Sequence, residues 1–173
     1  MIDAGTFWRA DWFHRTDPPL RRTALSASVG CMAEHTLRPL TAEEQKFIEQ
    51  HVLFGVRERG IDPEDPAAMD AEFSQALAAV VQGAAPQDIA QNVVGVAGAM
   101  LGHHLCIRHG LVWAMDGAPD RNRWVIVSQE KNAVFYPFDA AAKHWREQET
   151  DWMPGFAAMV AHAVEDEGSA SSE

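Results

Sequence analysis

From residue 41 to residue 109 the apolar positions recur at helical spacing, and after that they alternate. Thr41-Ala42-Glu43-Glu44 reads as a capping box, in which the first side chain and the last satisfy each other's backbone donors. Behind it Phe47, Ile48, Val52 and Val56 form one apolar stripe, and Gly60 stands where a helix over 42–59 would end. Asp65-Pro66 supplies an N-cap and an N1 proline for a second helix. Met69, Phe73, Ala76, Leu77 and Val80 give its inward face, and Gly83 closes it.

A third helix is expected from near Pro86 to His109-Gly110. Ile89, Val93, Val96, Met100 and Ile107 occupy one face, Val94, Ala97, Leu101 and Leu105 a second, and Gly95, Gly98 and Gly102 a third. A helix apolar nearly all round belongs in the centre of a molecule. Each interior glycine costs up to about 1 kcal/mol against alanine. Three on one face therefore predict the close approach of another helix or a sheet.

Beyond Gly110 the period becomes two. Leu111–Met115, Arg123–Val127 and Ala133–Pro137 read as strands, with turns over Asp116–Asp120 and Ser128–Asn132. Such short connections make an antiparallel meander. Asp139 is expected to cap a helix running to about Glu149, and Trp152-Met153-Pro154 to break it. A last helix from Pro154 would turn Phe156, Met159, Val160 and Ala163 inward, with Glu165-Asp166-Glu167 opposing the dipole at its C-terminus. The fold class is α+β: N-terminal helices around a central Gly-rich helix, a three-stranded antiparallel meander, then C-terminal helices. The expected division is an arm over 1–40 that packs on the body or a partner, one domain over 41–167, and a polar tail over 168–173.

The arm changes the picture of charge. It holds five arginines against three aspartates and one glutamate, whereas the whole chain of 173 residues carries −11. Phe7, Trp8, Trp12 and Phe13 could form a helical stripe there, ended by Asp17-Pro18-Pro19. Trp8, Trp12 and Arg15 are the candidate partner-binding residues, because aromatic side chains and arginine dominate interface centres. The acidic body repels phosphate backbones and disfavours nucleic acid as a partner. A composition of 47% hydrophobic and 23% charged residues is that of a globular domain. Cys31 and Cys106 lie too far apart in sequence for a redox or zinc motif and suit a reducing cytoplasm. No secretory signal is readable at the N-terminus, and the apolar run over 89–107 carries too many polar groups for a membrane span.

Leu40-Thr41-x-Glu43-Glu44-Gln45 opens a helix, Gly98-x-x-x-Gly102 marks a small-residue helix, and Gly110-Leu111-x-Trp113 starts a strand. Phe135-x-Pro137-Phe138 then leads into a helix with Lys143. With these motifs in this order, the stretch from Thr41 to Val164 resembles an uncharacterised bacterial domain family, one of the domain-of-unknown-function families. The chain departs from the family's pattern at Asp116-Gly117-Ala118-Pro119-Asp120-Arg121. The resemblance implies a fold unit and no activity, and it brings no catalytic residue with it.

The densest set of metal-capable side chains is His103-His104-x-Cys106-x-x-His109. His103, Cys106 and His109 are the candidate ligands of a metal site, which would need three or four donors converging at about 2.0–2.3 Å. The plainer reading makes Cys106 part of the apolar face and His109 a cation at the helix C-terminus. Cys31 and His35 would form a nucleophile–base pair only if their segment were helical. No phosphate loop, dinucleotide fingerprint, zincin motif or nucleophile elbow is present. The sequence therefore favours a non-enzymatic, acidic interaction protein without a cofactor: an adaptor, chaperone-like or immunity-type protein for a protein partner. Charge favours a basic partner. The alternative is a metal- or small-molecule-binding enzyme using the His/Cys helix, and a third reading is a homodimer formed through the Gly-rich helix or the arm.

Overall fold

The computed structural model describes residues 30–31, 36–118 and 121–165. The candidate residues Trp8, Trp12 and Arg15, the Phe7–Phe13 stripe, His35, Asp166-Glu167 and the 168–173 tail lie outside the described residues. The order of elements is β1 (Gly30–Cys31), β2 (Leu37–Pro39), α1 (Ala42–Arg59), α2 (Pro66–Val81), a 3-10 turn (Gln87–Ile89), α3 (Ala90–His109), β3 (Val112–Ala118), β4 (Arg121–Ser128), β5 (Ala133–Phe135), α4 (Pro137–Glu147) and α5 (Met153–Glu165). The fold is α+β, with α3 in the middle and an antiparallel sheet against it.

The helix boundaries follow local chemistry. Thr41 accepts from the Glu44 amide while the Glu44 carboxylate accepts from the Thr41 amide, completing the capping box. Gly60 ends α1 at φ 66°, a left-handed position that glycine takes without strain. Asp65 accepts from Ala67 N–H and caps α2. The stripe on α1 departs from expectation at one position. Val56 is exposed and Gly55 is buried instead. A Cβ at Gly55 would come within 2.8 Å of Met100 Sδ, so α1 meets α3 at its glycine and turns Leu53, Phe54 and Val56 outward.

The glycine face of α3 is used by three elements. Gly95 lies under the His51 ring of α1, and a Cβ at Gly98 would stand 2.7 Å from the Phe138 ring of α4 and 2.9 Å from its Cα. At Gly102 it would fall inside the Trp113 ring of β3, beside Pro137. Ala99, Met100, Leu101 and Leu105 of the same helix are fully buried.

The sheet is wider than a meander. Its order is β1-β5-β4-β3-β2, all antiparallel, so two edge strands come from within residues 1–40. Arg38 on β2 makes a two-point ion pair with Glu44 at 2.6 and 2.8 Å, which ties that edge to α1. The first hairpin is also longer than its turn residues suggest. Asp116 and Gly117 lie in β3 opposite Arg123 and Asn122. Asp116 can sit in a strand because its buried carboxylate accepts the Tyr136 hydroxyl at 3.1 Å. Asp139 does not cap α4. That helix opens two residues earlier at Pro137, and Asp139 faces Arg123 Nη1 at 3.4 Å.

The second end of the helical layer is fastened by a buried carboxylate. Asp70 on α2 accepts the Asp151, Trp152 and Met153 amides at 2.7, 3.1 and 3.0 Å, which makes it the cap of α5 from across the molecule. Phe73, one turn along α2, meets Trp145 and Trp152 edge-on at 5.6 and 5.7 Å.

Candidate functional site

An apolar cleft of about 420 Å³ opens between α1, α2 and α3. Met69, Phe73 and Met100 form its buried floor. Ala76 and Ala79 face Val93 and Val96 across it, and the small α2 side chains leave the space unfilled. Phe54, 47% exposed, stands at the rim. Arg59 and Glu72 form an ion pair at the mouth, with Gln75 and Asn92 as the remaining polar lining. The size falls within the range of about 300–1,000 Å³ typical of binding sites, as does the pattern of apolar walls with few polar groups.

Leu53 and Val56 are exposed beside Phe54 on α1, and Val81 is exposed at the end of α2. The segment over 42–100 that builds the cleft contains ten acidic and three basic residues, net −7. The charged residues that line the opening itself are Arg59 and Glu72, which pair with each other.

The His/Cys helix is arranged differently from a metal centre. His103 is half-buried, and burial followed by the neighbouring His104 lowers its pKa. His104 Nδ1 lies 3.2 Å from the Pro63 carbonyl oxygen, and His109 Nδ1 lies 3.5 Å from Glu165 Oε1. Burial pushes the Cys106 thiol up to about 12, so it holds its proton at neutral pH and offers no thiolate. His104 and His109 thus turn to different neighbours. Among the described residues no group of three or more His, Cys, Asp or Glu side chains is placed to hold one ion. Cys31 lies in strand β1, which removes the helical spacing on which its pairing with His35 depended.

A polar cluster escaped the sequence reading. Arg123 lies 3.4 Å from both Asp116 and Asp139, and its guanidinium sits 4.6 Å over the Tyr136 ring. Burial outweighs Arg123 and raises the Asp139 carboxyl to about 6. Burial and the Asp116 charge push the Tyr136 hydroxyl above its ordinary value. None of the four residues lines the cleft, and the Arg123–Asp139 pair ties β4 to α4. One sequence signal existed: a hairpin folded about the 119–120 step pairs Asp116 with Arg123.

No family model, no curated protein and no solved structure matches this chain.

Proposed function

We propose that this is a non-enzymatic interaction protein of the adaptor, chaperone-like or immunity type, and that it seats a basic amphipathic helix of a partner protein. The observation that carries the reading is the apolar cleft of about 420 Å³ with exposed Phe54 at its rim. A helix lays side chains at i, i+3, i+4 and i+7 into such a groove. Basic flanks on that helix would be drawn to a segment, 42–100, that carries net −7.

The enzyme alternative on the His/Cys helix gets no support from the geometry, since Cys106 is protonated and its histidine neighbours diverge. Among the described residues no helix is long and apolar enough to cross a membrane. The acidic charge continues to disfavour nucleic acid, and a free, protonated Cys106 suits a cytoplasmic setting.

Calorimetric titration of the full chain with a Leu/Lys amphipathic peptide of about five helical turns tests the reading. Saturable binding that weakens at least about tenfold from low to high salt is expected. Ala76→Phe fills the cleft without changing charge and should abolish binding. Equal binding by that variant would overturn the proposal. Saturation by an apolar dye with no response to the peptide would replace it with a small-ligand site.

A further inference from the structure

The two charged side chains at the mouth of the cleft are not equivalent. Arg59 donates from Nε, at 2.6 Å, and from Nη2, and both bonds end on one carboxylate oxygen, Glu72 Oε1. Among the described residues no group donates to Oε2. The carboxylate is also the deeper of the pair, with its side chain 24% exposed against 47% for the arginine.

The position of Glu72 along α2 matters as much as its open oxygen. Glu72, Ala76 and Ala79 follow one another at i, i+4 and i+7, so they share a face, and all three line the cleft. The carboxylate therefore stands one turn from the volume that the alanines leave open, and about 10 Å along the helix from Ala79. The cleft is asymmetric along its length. The ion pair lies at the end that holds Ile61, in the α1–α2 connection, whereas the end that holds Ala85 and Ile89, between α2 and α3, has no charged lining residue.

We infer that Glu72 is the specificity-determining residue of the cleft: its Oε2 accepts the ammonium of a lysine, or the guanidinium of an arginine, set about one turn from the apolar side chain that fills the space at Ala76 and Ala79. The assignment rests on the reading of the cleft as the seat of a helix. A seated helix covers the mouth and takes water away from Oε2. A carboxylate oxygen stripped of water and given no donor is strongly unfavourable, so an apolar helix without that cation is rejected. A helix that carries it gains a charge-assisted bond. Arg59 stays on Oε1 and keeps the carboxylate in place. Because the charge stands at one end of the cleft, the same contact fixes which way the helix lies.

Calorimetry on the full chain tests this with the Leu/Lys peptide and a set of peptides in which one lysine at a time is replaced by glutamine. Glu72→Gln is compared with Glu130→Gln, which makes the same charge change on an exposed turn of the sheet, and with Arg59→Gln, which breaks the same ion pair but keeps the carboxylate. Glu72→Gln should weaken the parent peptide at least about fivefold more than Glu130→Gln does. One lysine, or two neighbours one turn apart, should matter to the parent protein and to Arg59→Gln but make no difference to Glu72→Gln. Equal affinities for Glu72→Gln and Glu130→Gln would overturn the assignment and leave the helix seat standing, as would lysine effects in Glu72→Gln that match those in the parent. Loss of the lysine preference in Arg59→Gln as well would also overturn it, since the ion pair rather than the carboxylate would then be responsible. No saturable binding by the parent protein would overturn the seat and the assignment together.

Discussion

The indole of Trp113 on β3 fills the position that a side chain at residue 102 of α3 would occupy. Gly102 is thus the notch through which the sheet reaches the central helix. Gly102→Ala should destabilise the protein by about 1–3 kcal/mol, because the bulky ring and Pro137 must both shift. Gly155→Ala on α5 is the control, since nothing stands within 4 Å of that position. It should stabilise by about 0.5–1 kcal/mol. Urea denaturation of the two variants checks both signs.

The three amides held by Asp70 predict a large effect from a small change. Asp70→Ala leaves buried donors at Trp152 and Met153 without their acceptor and should cost about 2–4 kcal/mol. Hydrogen exchange should show the loss concentrated at the start of α5. Uniform loosening of the whole chain would contradict this reading of the clamp.

Two carboxylates give pH dependences of opposite sign. Asp139 sits at about 6 in the folded chain against an ordinary 3.8, so the folded state binds its proton more tightly than the unfolded state. Its stabilising contribution is present below 3.8 and is lost as pH rises through about 6. Asp139→Asn should therefore be more stable than the parent at pH 8, by about 1–3 kcal/mol, with the advantage gone by pH 4. Glu44 is held down to about 2, first by Arg38, so its contribution is present above 4.5 and is lost as pH falls toward 2. Glu44→Gln should flatten that acid limb. Thermal melts across the pH range resolve the two.

Cys106, half-buried against the core, should behave as an unreactive thiol. With its thiol near 12, labelling by a thiol reagent at pH 8 should run at least about a hundredfold slower in the native chain than in urea, read by mass spectrometry of its peptide. Rapid native labelling would reopen the His/Cys helix as a chemical site.

Much of the helical layer was legible because its signals are local. The capping box at Thr41, the Asp65-Pro66 start and Gly60 each act within one turn, and each stands where the sequence places it. The small-residue face of α3 also announced close approach before its neighbours were known. What failed to show depends on distant partners. Val56 fits the stripe of α1 as well as Gly55 does, and only Met100 on another helix decides which faces in. Asp116 has the composition of a turn, and distant partners such as Tyr136 and Arg123 make it a strand residue. The cleft leaves no motif, because it is an absence of volume at Ala76 and Ala79 between helices that meet elsewhere.

The central claim is that the cleft between α1, α2 and α3 takes a helix. Methionine methyl resonances report on it directly, because Met69 and Met100 line the cleft while Met153 and Met159 lie on α5. On titration of the full chain with the Leu/Lys peptide, Met69 and Met100 should shift saturably and together while Met153 and Met159 stay in place. Shifts confined to α5 or to Met115 on β3, or Met69 and Met100 signals unmoved at saturating peptide, would contradict the account.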